Sequence, residues 1–432
     1  SRHDHRRLYH GSQRVLRSDD RGESWREISP DLTRGVPEEL HPLMDRSWSI
    51  DDLVTKASFA HIVTLAESPL DENRLYAGSG DGLLHYTHDG GATWKRAELK
   101  GLPDRSRIHH VVASPHDVDV AYAACHDFFG GDLRPYLYRT DDGGARWESI
   151  SADLPERGPT YAIGVDPAAP DLLFVGTMTG VYVSNTPDLH WVKLAAGLPA
   201  AVQVSDLEIQ PDEDDLVIST FGRGVYILDD YSPLRSLTPE AIQDEARLFP
   251  IADAPMFLES DPMGFPGVGF QGASFYAAPN PEVGAIITYY VRDEPKSLQD
   301  LRNEREDQLR EDGEEIRHPD YDTLKKEALE EDPYLLFVIS DAEGRAVRKV
   351  KRPVEAGVRR FVWDFRTSPV APVSLKPADR SVPWLTPEVG YRVPPGEYRV
   401  AMYRGQGGTL AAVGEPQPLT AYPLNLATLG AE

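Results

Sequence analysis

Short apolar runs of about five residues recur along the first half of the chain, separated by turn-forming residues. LYAGSGDGLLHYT at 75–87 and LLFVGTMTGVYVS at 172–184 each hold two such runs joined across a Gly-containing turn. Another run comes before each pair and ends on Ser-Pro or Asp-Pro, as in IVTLAESPLDENR from Ile62, IHHVVASPHDVD from Ile108 and YAIGVDPAAPD from Tyr161. A fifth unit, VSDLEIQPDEDDLVISTFGRGVYILDD, occupies 204–230. A full unit reads strand, turn, strand, loop, strand, turn, strand, which predicts all-β structure. Four strands in a period of about 40–50 residues describe one blade of a β-propeller.

The last turn of each unit is itself a repeat, S/T-x-D-x-G-x-x-W. Ser18, Asp20, Gly22 and Trp25 form the first copy, and Thr87, Asp89, Gly91 and Trp94 the second. Thr140, Asp142, Gly144 and Trp147 form the third; a fourth keeps only Ser184 and Trp191. Asp accepts backbone N–H bonds inside a tight loop, Gly takes a positive φ, and the leading hydroxyl bonds locally. The Trp packs under the hairpin. These Asp turns are therefore expected to be folding elements, not chemical groups. The end of one blade at 8–28, three full blades and the closing unit make about four and a half blades, near the lower limit of propellers. The chain thus reads as a fragment of a longer protein, or as a small ring closed by an unusual first strand.

Patterning changes after 235. Residues 1–235 are assigned to the blades, 236–246 to a linker, 247–424 to a β-sandwich, and 425–432 to a tail. GAIITYYVRD, YLLFVISDAEGRAVRKV, RRFVWDFR and GEYRVAMYR alternate as strands, with Asp341 to Gly344 as a hairpin turn. Residues 294–333 interrupt them with fifteen acidic and seven basic residues and leucines at helical spacing. This stretch predicts one or two amphipathic helices broken near Gly313 and Pro319, lying on the sandwich or serving as a protein-docking arm.

Charge narrows the partners. Forty-five Lys and Arg against 70 Asp and Glu give −25, which repels nucleic acid and anionic membranes. No apolar run approaches the ~20 residues of a membrane span. The single Cys125 allows no internal disulfide and reads as a small buried hydrophobe. No metal-ligand spacing, phosphate loop or dinucleotide fingerprint is present, so no cofactor is expected.

The Asp turns, ISPDLTRG from Ile28, RPYLYRTDDGGARWESISADLP from Arg134, DLVISTFGRGVYILDD from Asp215, VWDFR from Val362 and PPGEYRV from Pro394 together resemble a large bacterial family. Its members are sortilin-type or BNR (Asp-box) propeller proteins, often labelled glycosyl hydrolases. The resemblance runs over nearly the whole chain. It implies a larger propeller, with further blades from the rest of the chain as partners, an exported protein (extracellular or periplasmic) and an Ig- or fibronectin-like C-terminal module. The Cys-rich module that follows the propeller in true sortilins is absent.

Chemistry belongs on the rim opposite the Asp turns, where the loops between second and third strands join those between blades. Asp81, the loop 126–134, Thr177 to Thr179 and Phe221 to Arg223 fall there, with the inter-blade residues 45–52, Arg105, Arg107, Arg157 and Tyr161. His126, Phe128, Phe129 and Arg134 suit a sugar platform or a packed loop. Arg223 reads as a carboxylate grip or as an inter-blade tie to Asp206 or Asp229. A glycosidase needs two carboxylates ~5–5.5 Å or ~6.5–9.5 Å apart. Asp81 with Asp127 or Asp132 is a conceivable pair that no spacing selects. His109 and His110, adjacent in a strand, are expected on opposite faces. Two functions stay open: an exported binding or scaffold propeller for a protein or glycan, and a glycoside hydrolase whose carboxylates lie partly on other blades.

Overall fold

The computed structural model describes residues 1–35, 49, 60–195, 197–257, 281–370, 389–406 and 408–424. The inter-blade residues 45–48 and 50–52 and the tail 425–432 lie outside them. Two compact units divide the chain, Ser1–Arg235 and Ser236–Glu432.

The first unit is a succession of antiparallel meanders. Three are four-stranded: Ile62–Glu67, Leu75–Ser79, Leu84–Thr87 and Lys95–Arg96; then Arg107–Ala113, Ala121–Asp127, Asp132–Thr140 and Glu148–Ser149; then Thr160–Val165, Leu173–Thr177, Gly180–Ser184 and Val192–Leu194. Calling the strands of a blade A to D from the inside out, these are blades 2, 3 and 4. Blade 1 (Leu8–Gly11, Val15–Ser18, Arg26–Glu27) has its Asp turn between the second and third strands present, so it holds B, C and D. Blade 5 (Val204–Gln210, Asp215–Thr220, Val225–Leu228) holds A, B and C.

Blades stack face to face in chain order. One apolar cluster joins Val15 and Ile28 of blade 1 to Ile62 and Leu75 of blade 2. Others join Tyr76 to Ile108 and Trp147, Leu137 to Ile163 and Trp191, and Phe174 to Leu207 and Ile218. The outer face of blade 5 is open: Val225 and Ile227 are 63% and 57% exposed. Polar ties repeat on the rim of the A–B turns. His3 Nε2 bonds the Ser68 carbonyl at 2.8 Å and His116 Nε2 that of Asp166 at 2.7 Å, while Arg74 pairs with Asp119 at 2.6 Å.

The Asp turns are closed by local hydrogen bonds. Asp89 Oδ1 accepts from Thr93 N–H at 2.8 Å and from Thr87 Oγ1 at 2.7 Å, and Thr87 Oγ1 accepts from Gly91 N–H at 3.2 Å. Asp20 and Asp142 repeat the pattern with Ser24 and Arg146. Trp147 Nε1 donates to the Gly144 carbonyl of its own turn, whereas Trp94 and Trp191 reach Ile28 and Ile150 of the blade before. In the degraded fourth copy Pro187 stands where the others have Arg21, Gly90 or Gly143 at positive φ. Proline is locked near −65°, and the left-handed residue is Leu189 instead (φ +54°). Thr186, at the Asp position, substitutes with its Oγ1 accepting from His190 N–H at 3.3 Å, while Asp153 of the preceding loop accepts from Trp191 N–H at 2.8 Å.

These bonds make the turns acid-sensitive. Thr93 and Ser24, through their hydroxyls and then their amides, hold the Asp89 and Asp20 carboxyls from 3.8 down to about 2. A carboxyl depressed in the folded state stabilises above the unfolded value, and that contribution is lost as pH falls through the folded one. Asp89→Ala should lower the thermal midpoint at neutral pH and flatten its fall between about pH 4 and 2, followed by circular dichroism melts. An unchanged midpoint would assign Asp89 another role.

The second unit is a β-sandwich. A three-stranded sheet (Ala246–Leu248, Ala285–Val291, Gly357–Trp363) faces a five-stranded one (Ala254–Met256, Thr409–Pro423, Gly396–Gln406, Tyr334–Asp341, Ala346–Pro353 in spatial order). Alternation supplies the shared core: Leu335, Phe337 and Ile339 from one strand meet Ile287, Tyr289, Phe361 and Trp363 across it. Helices α1 (Leu298–Glu311) and α2 (Tyr321–Ala328) fill the interruption. Ser297 and Asp300 form a reciprocal cap at the start of α1, and Asp320 caps α2. No residue of either helix is buried.

Candidate functional site

The B–C turns and the loops between blades share one rim, because B ends and A begins on the same side of an antiparallel meander. At this rim blades 3 and 4 bring together a cluster of rings and one guanidinium. His126, at the end of strand B in blade 3, is 3% exposed and packs at a tilt against Tyr161 of blade 4, with centroids 4.8 Å apart. His109 meets the same tyrosine edge-on at 5.2 Å, and Phe129 closes over His126 at 6.3 Å.

The hydrogen bonds assign the tautomers. Phe128 N–H donates to His126 Nδ1 at 3.4 Å, which leaves the proton on His126 Nε2, 3.3 Å from His109 Nδ1. Two neutral imidazoles thus face each other within blade 3, against Tyr161 of blade 4. Burial, then the Arg107 charge, presses His109 down to about 4, and burial, then His109 and Arg107, presses His126 to about 3.

His109 corrects the expectation of opposite faces. His110 Nδ1 accepts from Ile163 N–H at 3.2 Å, also in blade 4, so the neighbouring histidines both reach the same blade. The reason is a register shift between Ile108 and His110, which adds a residue and breaks the alternation.

Arg107 pairs in register with His126. Its Nε is buried without an acceptor, and burial alone acts on its charge, lowering its pKa. No carboxylate among the described residues neutralises it. Such a cation is held at a desolvation cost that a bound acidic group would offset.

The expected carboxylates are engaged elsewhere. Asp81 is 0% exposed and accepts from Ser79 Oγ at 2.5 Å and Arg34 N–H at 2.8 Å, tying the loop after blade 1 to the blade 2 turn. Asp127 caps the Phe128–Gly130 turn through Gly130 N–H at 3.2 Å, and burial, ahead of nearby Asp132, raises its pKa. Asp132 accepts from Arg134 Nε at 3.0 Å and Tyr136 Oη at 2.8 Å, and Arg134, first of these, depresses it strongly. Arg134 is exposed, spent on that pair and set over the Tyr136 ring. Phe128 and Phe129 meet edge-on at 5.7 Å. Arg223 is exposed between Gly222 and Gly224, both at positive φ, and forms neither suggested tie to Asp206 or Asp229. Beside Asp81 a cavity of about 410 Å³ is lined by Arg34, Arg96, Leu99, Leu102 and Asp104.

No family model matches the chain, and no curated protein does. Solved structures of β-propeller proteins are similar to it. A GH74 enzyme from Niastella koreensis aligns at 12% identity over 54% of this chain and 35% of its own, with a TM-score of 0.40. The GH74 xyloglucanase of Xanthomonas campestris aligns at 18% over 51% and 32%, TM-score 0.37. The β-propeller domain of Myceliophteria thermophila Cps50 (Swd1) aligns at 12% over 58% and 73%, TM-score 0.38. The chain spans about a third of the first two. Among the described residues no helix is long and apolar enough to cross a membrane, and no cluster of three or more His, Cys, Asp or Glu is placed to hold a metal.

Proposed function

We propose that this chain is part of an exported Asp-box propeller protein of the BNR or sortilin type, in which the rim of B–C turns binds a protein or glycan ligand and an Ig-like sandwich acts as spacer. The observation that carries the reading is Arg107, half-buried, with its Nε buried and no carboxylate among the described residues to neutralise it, near the rings of Phe129, Tyr161 and His126. A guanidinium with free donors grips a carboxylate in the plane of its fork, and ring faces suit a sugar or a peptide side chain. Binding is favoured over hydrolysis because Asp81, Asp127 and Asp132 each hold a turn, a strand or an arginine. Further blades of the same kind would supply the strand positions that blades 1 and 5 lack, and would cover Val225 and Ile227.

The test is an array of neutral and uronic-acid-bearing oligosaccharides, with acidic and neutral peptides alongside, probed with the whole chain. Acidic probes should be retained selectively. Arg107→Ala should weaken them by about tenfold or more, Arg107→Lys less, and Asp81→Asn or Asp127→Asn should leave them unchanged in the folded fraction. Hydrolysis of aryl-glycosides or β-glucan oligosaccharides that Asp127→Asn abolishes would replace this reading with the hydrolase.

A further inference from the structure

Two oppositely charged surfaces of the second unit are largely uncovered among the described residues. The arm at 294–333 has a formal charge of −8, fifteen acidic residues against seven basic. Its helices are braced by polar contacts: Arg302 Nε donates to Glu327 Oε1 at 2.7 Å, and Leu298 N–H to Glu330 Oε2 at 2.8 Å. Leu298, Leu301, Tyr321 and Leu329 are 44%, 45%, 77% and 72% exposed. Leu298 and Leu301 stand one turn apart on the same side of α1. Helices of eight and fourteen residues are marginal in water unless an apolar stripe is covered.

The strand Ala346–Pro353 has the opposite character. It ends the five-stranded sheet, and residues 345–360 carry seven basic side chains against one acidic. Val347 and Val350 pack on the core, while Lys349, Lys351 and Arg352 are exposed. Among the described residues its outer edge is met near Val347, whose carbonyl accepts from Ser368 N–H at 3.1 Å. Cations along an edge strand deter strand-to-strand pairing, yet they offer a surface for an acidic helix. On a chain of −25 this concentration of positive charge stands apart.

From this complementarity we infer that the acidic arm of one copy docks on the basic edge strand of a second copy. Each copy gives one arm and takes one, so the contact is two-fold and self-closing. Leu298 and Leu301 rest on the aliphatic stems of Lys349 and Lys351, whose ammonium groups meet the arm's carboxylates. The inference is independent of the ligand reading.

Sedimentation velocity of the whole chain tests it. A concentration-dependent dimer should form at low salt and weaken about tenfold at high salt. Glu314→Lys with Glu315→Lys should weaken it, as should Lys349→Glu with Lys351→Glu, and the combination of all four should restore it, with circular dichroism confirming the fold of each. Leu301→Asp should weaken the dimer without rescue. A monomer at every concentration, a dimer indifferent to both reversals, or a failed rescue in folded protein would overturn the inference. So would dimer loss in Ile227→Asp, at the open face of blade 5, with the arm variants silent.

Discussion

Asp166→Ala should destabilise the propeller unit by about 3–5 kcal/mol. The carboxylate has no exposed surface and serves three elements at once. Oδ1 accepts from Ala168 N–H at 2.7 Å, holding the A–B turn of blade 4. Oδ2 accepts from Arg235 Nη2 at 2.8 Å and Nε at 3.0 Å. Arg235 also donates to Asp214 of blade 5 at 2.7 Å, so one guanidinium joins blades 4 and 5 just past the last strand. Burial pushes the Asp166 pKa up, and Arg235 and the turn amides together more than reverse it, leaving it low. Removing the carboxylate strands Arg235 on Asp214 alone and leaves the turn amides without an acceptor. Asp166→Asn keeps an acceptor but not the charge, and should cost about 1–2 kcal/mol. Urea titration followed by tryptophan fluorescence would measure both; equal losses for the two variants would show that the charge contributes nothing.

Gly78→Val should cost about 3 kcal/mol or more, and Gly78→Ala about 1–3 kcal/mol, by overpacking the seam between blades 2 and 3. A Cβ at Gly78 would fall 2.5 Å from Ile108 Cγ2 and 2.7 Å from Thr64 Cγ2. Gly176 makes the same approach to Val204 Cγ1 at 2.6 Å, one seam further on, and Gly11 approaches Ile62 at 3.0 Å. Each glycine ends or nearly ends a B strand and admits the A strand of the next blade. If space is the cause, Ile108→Ala should recover much of the Gly78→Ala loss when the two are combined. A loss that Ile108→Ala does not reduce would point to the backbone of Gly78 instead.

The strands were legible because their apolar runs are short, regularly spaced and bounded by Gly, Asp and Pro, and each such signal acts within a few residues. The Asp turns were legible for the same reason: Asp89 bonds Thr87 and Thr93, two and four positions away. So were α1 and α2, whose caps at Ser297 and Asp320 and break near Gly313 are local. The loop 126–134 was singled out from its composition, and His126 and Phe129 do stand at the ring cluster. Within it, Asp132 and Arg134 proved to be partners two residues apart, absorbed in one another.

Arg107, His109, His126 and Tyr161 are spread over 55 positions and three strands, and nothing in their spacing draws them together. Blade-on-blade packing does, with a bulge at His109 that no alternation rule anticipates. Asp81 is the converse case: its place in a B–C turn was readable, but its burial depends on Arg34, 47 residues earlier. Sequence by itself determined the strands, the turns and the order of the blades, because those follow from local hydrogen bonding and side-chain periodicity. Tertiary structure alone decided which carboxylates are consumed as ties and which cation is left without one, because burial and pairing are set by residues distant in the chain.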